Sequence, residues 1–290
     1  MTWVAWRQQR FQVLLSIGIV AVLAAVMAFV RFDALSLGGN EALIDERYGT
    51  YLNYLRLVLI ALPVLLGMFA GAPLFAREIE HGTHVFGLTQ SIGRTRWWAT
   101  KIAVAGIPVV IAMTVLGLVN AWSSAPLQAV MFGGRLATPT FEIQGLTLGA
   151  YTLLTFTLSA AIGLLMRNTL AAMVVTVVVY IPLLGAVANA LRPGYGTPIT
   201  SRYQDIPRDA WVVESSYVDA AGNQVSFSPA GCTASINDCL TAGGVVQQVA
   251  YQPDDRFWSF QAIEAGLFAV LAVALLGVGA WALHRRLRLA

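Results

Sequence analysis

The densest group of side chains able to do chemistry is Glu78, Glu80, His81 and His84, four potential ligands within seven residues. Imidazole and carboxylate together suit a divalent metal. The spacing argues against one: a histidine pair ligating from one helical face usually sits four apart, and Gly82-Thr83 interrupts any helix between these two. Ser16 and Ser159 lie in apolar stretches away from His81, His84 and His284, so a serine hydrolase lacks its base. The single lysine, Lys101, has no glycine-rich loop before it, so no Walker A loop cradles ATP here. Cys232 and Cys239 are the only cysteines. Two thiols make an incomplete metal site, and their six-residue spacing fits either a disulfide or two free thiols; on an oxidising face the disulfide is expected.

These residues are set between stretches that carry no Asp, Glu, Lys or Arg. Such stretches are Phe11–Val30, Leu57–Ala76, Ile102–Gly134, Ile143–Met166, Asn168–Leu191 and Ala265–Leu283. About 20 apolar residues cross the ~30 Å hydrocarbon core as a helix, and lipid leaves the backbone no other way to satisfy its polar groups. Over the 290 residues, 57% are hydrophobic and 11% charged, under half the ~25% charged of an average globular chain. The expected fold is therefore an all-α polytopic membrane protein with six transmembrane helices. The third stretch exceeds one span, so its helix is placed near Ile102–Trp122. The charge-free interiors also lack the titrating groups of a proton relay.

Orientation follows from the basic residues. Six spans put both termini on one side, and that side carries Arg7, Arg10, Arg77, Arg94, Arg96, Lys101, Arg167, Arg285, Arg286 and Arg288 on short pieces of chain. Basic residues in short loops mark the cytoplasmic face, which gives an N-in/C-in protein of the plasma membrane. The net +3 sums a basic inner and an acidic outer face and does not imply nucleic acid. The first stretch exceeds a signal-peptide core, so it is expected to remain as a span.

Thr2–Gln12 mixes Trp3, Trp6 and Phe11 with Arg7 and Arg10. It reads either as a short interfacial helix or as a positive flank with tryptophan anchors. Tyr48, Tyr51 and Tyr54 recur every three residues, as interface aromatics would. Ser123–Glu142 is turn-rich and carries little signal. Arg192–Phe260 is long enough for a small folded unit, with Trp211–Val218, a turn, and Gln224–Phe227 reading as strand, turn, strand. This places a small extracellular β-containing segment before the last helix. The resulting division is 1–191 for the first five spans with a loop at 77–101, 192–259 for the extracellular segment, and 260–290 for the sixth span and basic tail. Within the loop, Thr83 is expected to cap a short helix from about His84 to Ile92 that Gly93 stops. Val85, Leu88 and Ile92 share one of its faces, which would dock on a soluble partner or lie on headgroups.

The segment GMFAGAPLFAREIEHGTHVFGLTQSIGRTRWWATK (Gly67–Lys101) resembles the second-span exit and following loop of permease subunits of type-2 ABC exporters, actinobacterial transmembrane transport proteins in particular. TWVAWRQQR (Thr2–Arg10) and YQPDDRFWSFQAIEAGLF (Tyr251–Phe268) support it, and with the span layout the resemblance covers essentially the whole chain. It implies a permease that is not itself an enzyme and holds no cofactor. Two copies of a separate ABC ATPase would bind ATP and Mg, and a second permease, identical or paralogous, would complete the transporter in the bilayer. It further implies that Glu78, Glu80, His81, Gly82, Thr83, Phe86, Arg94, Thr95 and Arg96 form the region that couples to the ATPase, and that the N-terminal segment is the connecting helix. Many relatives have only short re-entrant helices before the last span, where this chain has a longer segment with a cysteine pair.

Thr114, Asn120, Thr155, Thr157, Ser159, Thr176 and Tyr180 are polar side chains available to line a pathway. Arg256, Gln261 and Glu264 stand where the last span meets the outer face, placed either to touch cargo or to form an interfacial pair beside Trp258. The alternative function is an ATPase-independent membrane immunity, sensor or binding protein.

Overall fold

The computed structural model describes residues 2–38, 40–82, 93–130, 134–227 and 236–286. Among them, six helices are long and apolar enough to cross a membrane. They are α1 (Thr2–Ser36), α2 (Glu41–Glu80), α3 (Arg94–Ser123), α4 (Thr147–Met166), α5 (Thr169–Ala186) and, after a short α6 (Ile236–Ala242), α7 (Phe257–Arg286). Alternation puts both termini, the 77–101 loop and the α4–α5 turn at one end of the bundle, the terminal end. The opposite end carries a three-stranded sheet.

Two helices overrun the spans expected of them. Nothing between Thr2 and Phe11 breaks a helix, so α1 is one unbroken rod of 35 residues, about 52 Å at 1.5 Å per residue. The separate interfacial helix expected at Thr2–Gln12 is thus the first turns of α1, with Trp3 and Trp6 exposed. Helix α2 starts where Asn40 Oδ1 accepts from Leu43 N–H, and its early tyrosines do not all face an interface. Tyr48 is buried and its hydroxyl donates to Asp33 on α1, while Tyr54 is exposed.

Helix α4 is the most enclosed of the six, and small residues explain how α2 approaches it. A Cβ on Gly67 would fall 2.0 Å from Thr155 Oγ1, and one on Gly71 2.1 Å from Ser159 Oγ. Gly163 likewise lies against the Ala72 carbonyl. Side chains then bond across the seam: Thr155 Oγ1 donates to the Pro63 carbonyl at 2.7 Å and Ser159 Oγ to that of Gly67 at 3.3 Å. In lipid, where apolar contact alone gives little preference, such small-residue seams and crossing hydrogen bonds hold helices together. Thr155 and Ser159 are therefore packing residues. Thr157 and Thr176 are buried and bond carbonyls one turn back in their own helices.

Ser123–Glu142 carries little signal as sequence, yet its described second part, 134–142, packs into the bundle. Leu136, Thr140, Phe141 and Glu142 are all buried there. Beyond α5 the sheet order is β1 (Ile199–Arg202), β3 (Val246–Gln252), β2 (Trp211–Val218), all antiparallel. The expected strand Trp211–Val218 is present, but its main partner is β3, not Gln224–Phe227. The latter is reduced to a bridge between Val218 and Gln224. Asp219 organises this turn by accepting from Ala221 and Asn223 N–H, and the Asn223 bond above all holds its carboxyl below the usual aspartate value. The longer ladder wins because β3 also seats the sheet on the bundle. Its buried Gln252 donates to the Pro193 and Gly196 carbonyls in the segment that follows α5.

Candidate functional site

Three charges that flank separate apolar stretches meet at the sheet end. Glu142 precedes the stretch of α4, Arg192 follows that of α5, and Glu264 precedes that of α7. Helix α5 delivers Arg192 through a widened final turn: Val187–Leu191 is π-helical, and Arg192 N–H donates to the carbonyl of Val187 five residues back. Such turns re-aim the residues that follow them.

The Arg192 guanidinium is wholly buried. Its Nε donates to Glu264 Oε2 at 3.0 Å and Nη2 to Glu264 Oε1 at 2.9 Å, a bidentate fork. Nη1 donates to Glu142 Oε1 at 2.8 Å and to Thr138 Oγ1 at 3.2 Å. Thr138 Oγ1 itself donates to Glu142 Oε1, and the Tyr151 hydroxyl to Glu264 Oε1. The guanidinium carbon lies over the Phe141 ring, 4.1 Å from its centre. One cation thus faces two carboxylates, and Glu142 Oε2 has no partner among the described residues. Burying ions this way is costly unless every group is held, and removing one partner strands the others.

Gln261 completes this end. Its Oε1 accepts from Leu146 and Thr147 N–H, at 2.8 and 3.0 Å, which caps α4; its Nε2 donates to the Phe141 carbonyl. Gly145, at φ +64°, leaves room for that amide, since a Cβ would stand 2.7 Å from its oxygen. Asn120 Nδ2 donates to the Ile143 carbonyl, tying α3 to the same segment.

Of the exit-side residues expected from sequence, Gln261 and Glu264 are brought together but fully buried. The interfacial pairing of Glu264 with Arg256 is not formed: Arg256 turns to the Thr197 carbonyl and the Gln252 side chain, and Arg192 takes Glu264 instead. The stretches themselves are free of charge as expected, but Glu142, Arg192 and Glu264 at their borders form a buried ionic cluster that the stretches alone do not foretell. Arg192, Glu142, Tyr151 and Thr138 were missed because each apolar stretch was read alone. The available signal was three charges of mixed sign bordering three stretches at one end.

The terminal end is built differently. Helix α2 stops at Gly82, whose φ of +69° ends it with N–H donated to the Ile79 carbonyl, and His81 Nδ1 lies 2.8 Å from the Arg77 carbonyl. Glu78 pairs with buried Lys101, the ammonium resting over the Trp97 ring. Exposed Glu80 accepts from Thr169 N–H and Oγ1, both at 2.9 Å. Thr95 Oγ1 lies 3.4 Å from His284 Nε2 on α7. Arg94 is half-buried and Arg96 exposed. Thr83, Phe86, His84 and the short helix expected around them lie outside the described residues. So does Cys232; Cys239 is half-buried and forms no disulfide among the described residues, and the expected disulfide is not supported.

The model of the family described as ABC-2 membrane transporter related matches residues 17–192, more than half of the chain. No curated protein and no solved structure is similar enough to match.

Proposed function

The chain belongs to the ABC-2 membrane transporter related family, and from that premise we propose that it is the permease subunit of an ABC exporter, driven by a separate ATPase. The observation that carries this reading is the family match from residue 17 to 192 on a chain with six helices fit to span a bilayer. Two copies, or this chain and a paralogue, enclose the path, and two ATPase subunits bind ATP and Mg. Both termini face the cytoplasm of a plasma-membrane protein, as the basic residues of the terminal end favour.

The 77–101 loop then meets the ATPase. Thr95 and Arg96 are exposed at its return, beside half-buried Arg94, and with His81, Gly82, Thr83 and Phe86 they form the contact region. Glu78 and Glu80 belong to the same region but spend their carboxylates on Lys101 and Thr169. ATP bound between the ATPases is the ligand with different affinity for the two permease states, and it shifts the spans between inward- and outward-open arrangements.

The test is co-purification from the native membrane. A Walker-motif subunit that binds this chain, and whose Mg-ATP turnover rises in its presence, is the expected result. Absence of any such subunit from the purified complex overturns the reading.

A further inference from the structure

Helix α5 is the least enclosed of the six spans. Leu170, Val174, Val178 and Ile181 are exposed along its length, while Ala172, Thr176 and Tyr180 bury one face, so its position rests on that single face and on what grips its ends. One end is Arg192 in the buried cluster. The other is the two-residue turn from α4: Arg167 adopts a left-handed φ of +56°, and Asn168 Oδ1 caps Ala171 N–H at 2.8 Å. Onto that turn Glu80 places a carboxylate from the last residue of α2, each oxygen taking one donor of Thr169. Charge-assisted bonds to a helix start are favourable in themselves. What matters is where this one originates, two residues before Gly82, where α2 has ended.

We propose that Glu80 is a positioning residue that passes movement at the base of the 77–101 loop to α5, and through α5 to the Arg192 cluster at the opposite end. The proposal rests on the exporter reading above. The geometry explains why α5 is the recipient. Helices α2 and α4 are locked by the Gly67, Gly71 and Gly163 seam and travel together. Glu78–Lys101 fixes the return arm of the loop to α2. A push on the loop is therefore delivered to α2, and Glu80 is its bonded contact with the first turn of α5. Helix α5 then acts as a strut between an exposed two-bond grip and a wholly buried ionic one.

The experiment is hydrogen–deuterium exchange on the permease in complex with its co-purified ATPase, with and without Mg-ATP. In the unmodified complex, ATP is expected to change exchange in peptides from the loop base, from 167–173 and from 188–196. Glu80→Ala is expected to keep the response at the loop base and lose it in the other two. Thr169→Val, which retains the N–H but not the hydroxyl, loses part of the response, and Thr169→Ser, which retains both donors, restores it. A merely structural cap would raise exchange at 167–173 in both nucleotide states and leave the ATP response at 188–196 intact. That result, or unchanged ATP responses in Glu80→Ala, overturns the proposal. A loop base that ignores ATP in the unmodified complex overturns the exporter reading itself, and the proposal with it.

Discussion

At the sheet end, Arg192 has given up all of its water and is held by two carboxylates, two hydroxyls and an aromatic face; at the terminal end, Glu80 stays in solvent and bonds a single residue. The same chemistry, charge-assisted hydrogen bonding, has different consequences in the two places. A buried cluster is stable only when complete, because each missing partner leaves an uncompensated charge in a low dielectric. An exposed grip loses little when broken, since water replaces it. The sheet end is therefore suited to hold three spans in one arrangement, and the terminal end to make and release contacts.

The sharpest way to break this contrast is Arg192→Met. It should destabilise the protein by about 3–5 kcal/mol, read as a large fall in the detergent unfolding midpoint. Replacing Arg192, Glu142 and Glu264 together by apolar residues of similar volume should cost less than the single change, since no stranded charge remains. If the triple variant is the worse of the two, the cluster is not an all-or-none unit. Gln261→Leu comes next. It uncaps α4 by taking the acceptor from the Leu146 and Thr147 N–H groups, while the Phe141 carbonyl keeps the Thr147 hydroxyl, at about 2 kcal/mol, again read from thermal unfolding.

Lys101→Met tests the intermediate case, a buried cation at the otherwise exposed end. Apolar bulk over Trp97 is kept while the pair with Glu78 is lost; because Glu78 stays partly open to water, the expected loss is about 1–2 kcal/mol, between the exposed and the buried limits. The smallest effect is expected from Asp219→Ala in the sheet-end turn. It should speed exchange of the Val225 amide, bonded to the Tyr217 carbonyl, without moving the unfolding midpoint. Because the Asp219 carboxyl is depressed in the fold, its contribution is present above the ordinary aspartate pKa and fades as pH falls through the lowered one. Turn exchange corrected for intrinsic rates should loosen only in acid.

The spans were legible because a hydrocarbon core excludes charge from about 20 residues at a time, and the six charge-free stretches coincide with the six long helices. Helix ends were less so: α1 runs on to Thr2 because no residue stops it. Gly82 could be read as a break, and it is one. The second strand of the outer unit was misjudged, because Gln224–Phe227 is near in sequence while β3 competes from 28 residues beyond the end of β2.

The polar clusters at the two ends divide along the same line. Composition and charge placement determined that this chain is a six-span membrane protein with one strongly basic end, since the cost of a charge in lipid is local and can be counted along the chain. Which charges meet is not local. Arg192 reaches Glu264 and Glu142 only because a π turn redirects the end of α5 and Gln261 ties α7 to the start of α4. Glu80 turns inward to Thr169 only because the α4–α5 turn lies beside the end of α2. Those partnerships were settled by tertiary packing, which sets distances between residues 50, 72 and 89 positions apart.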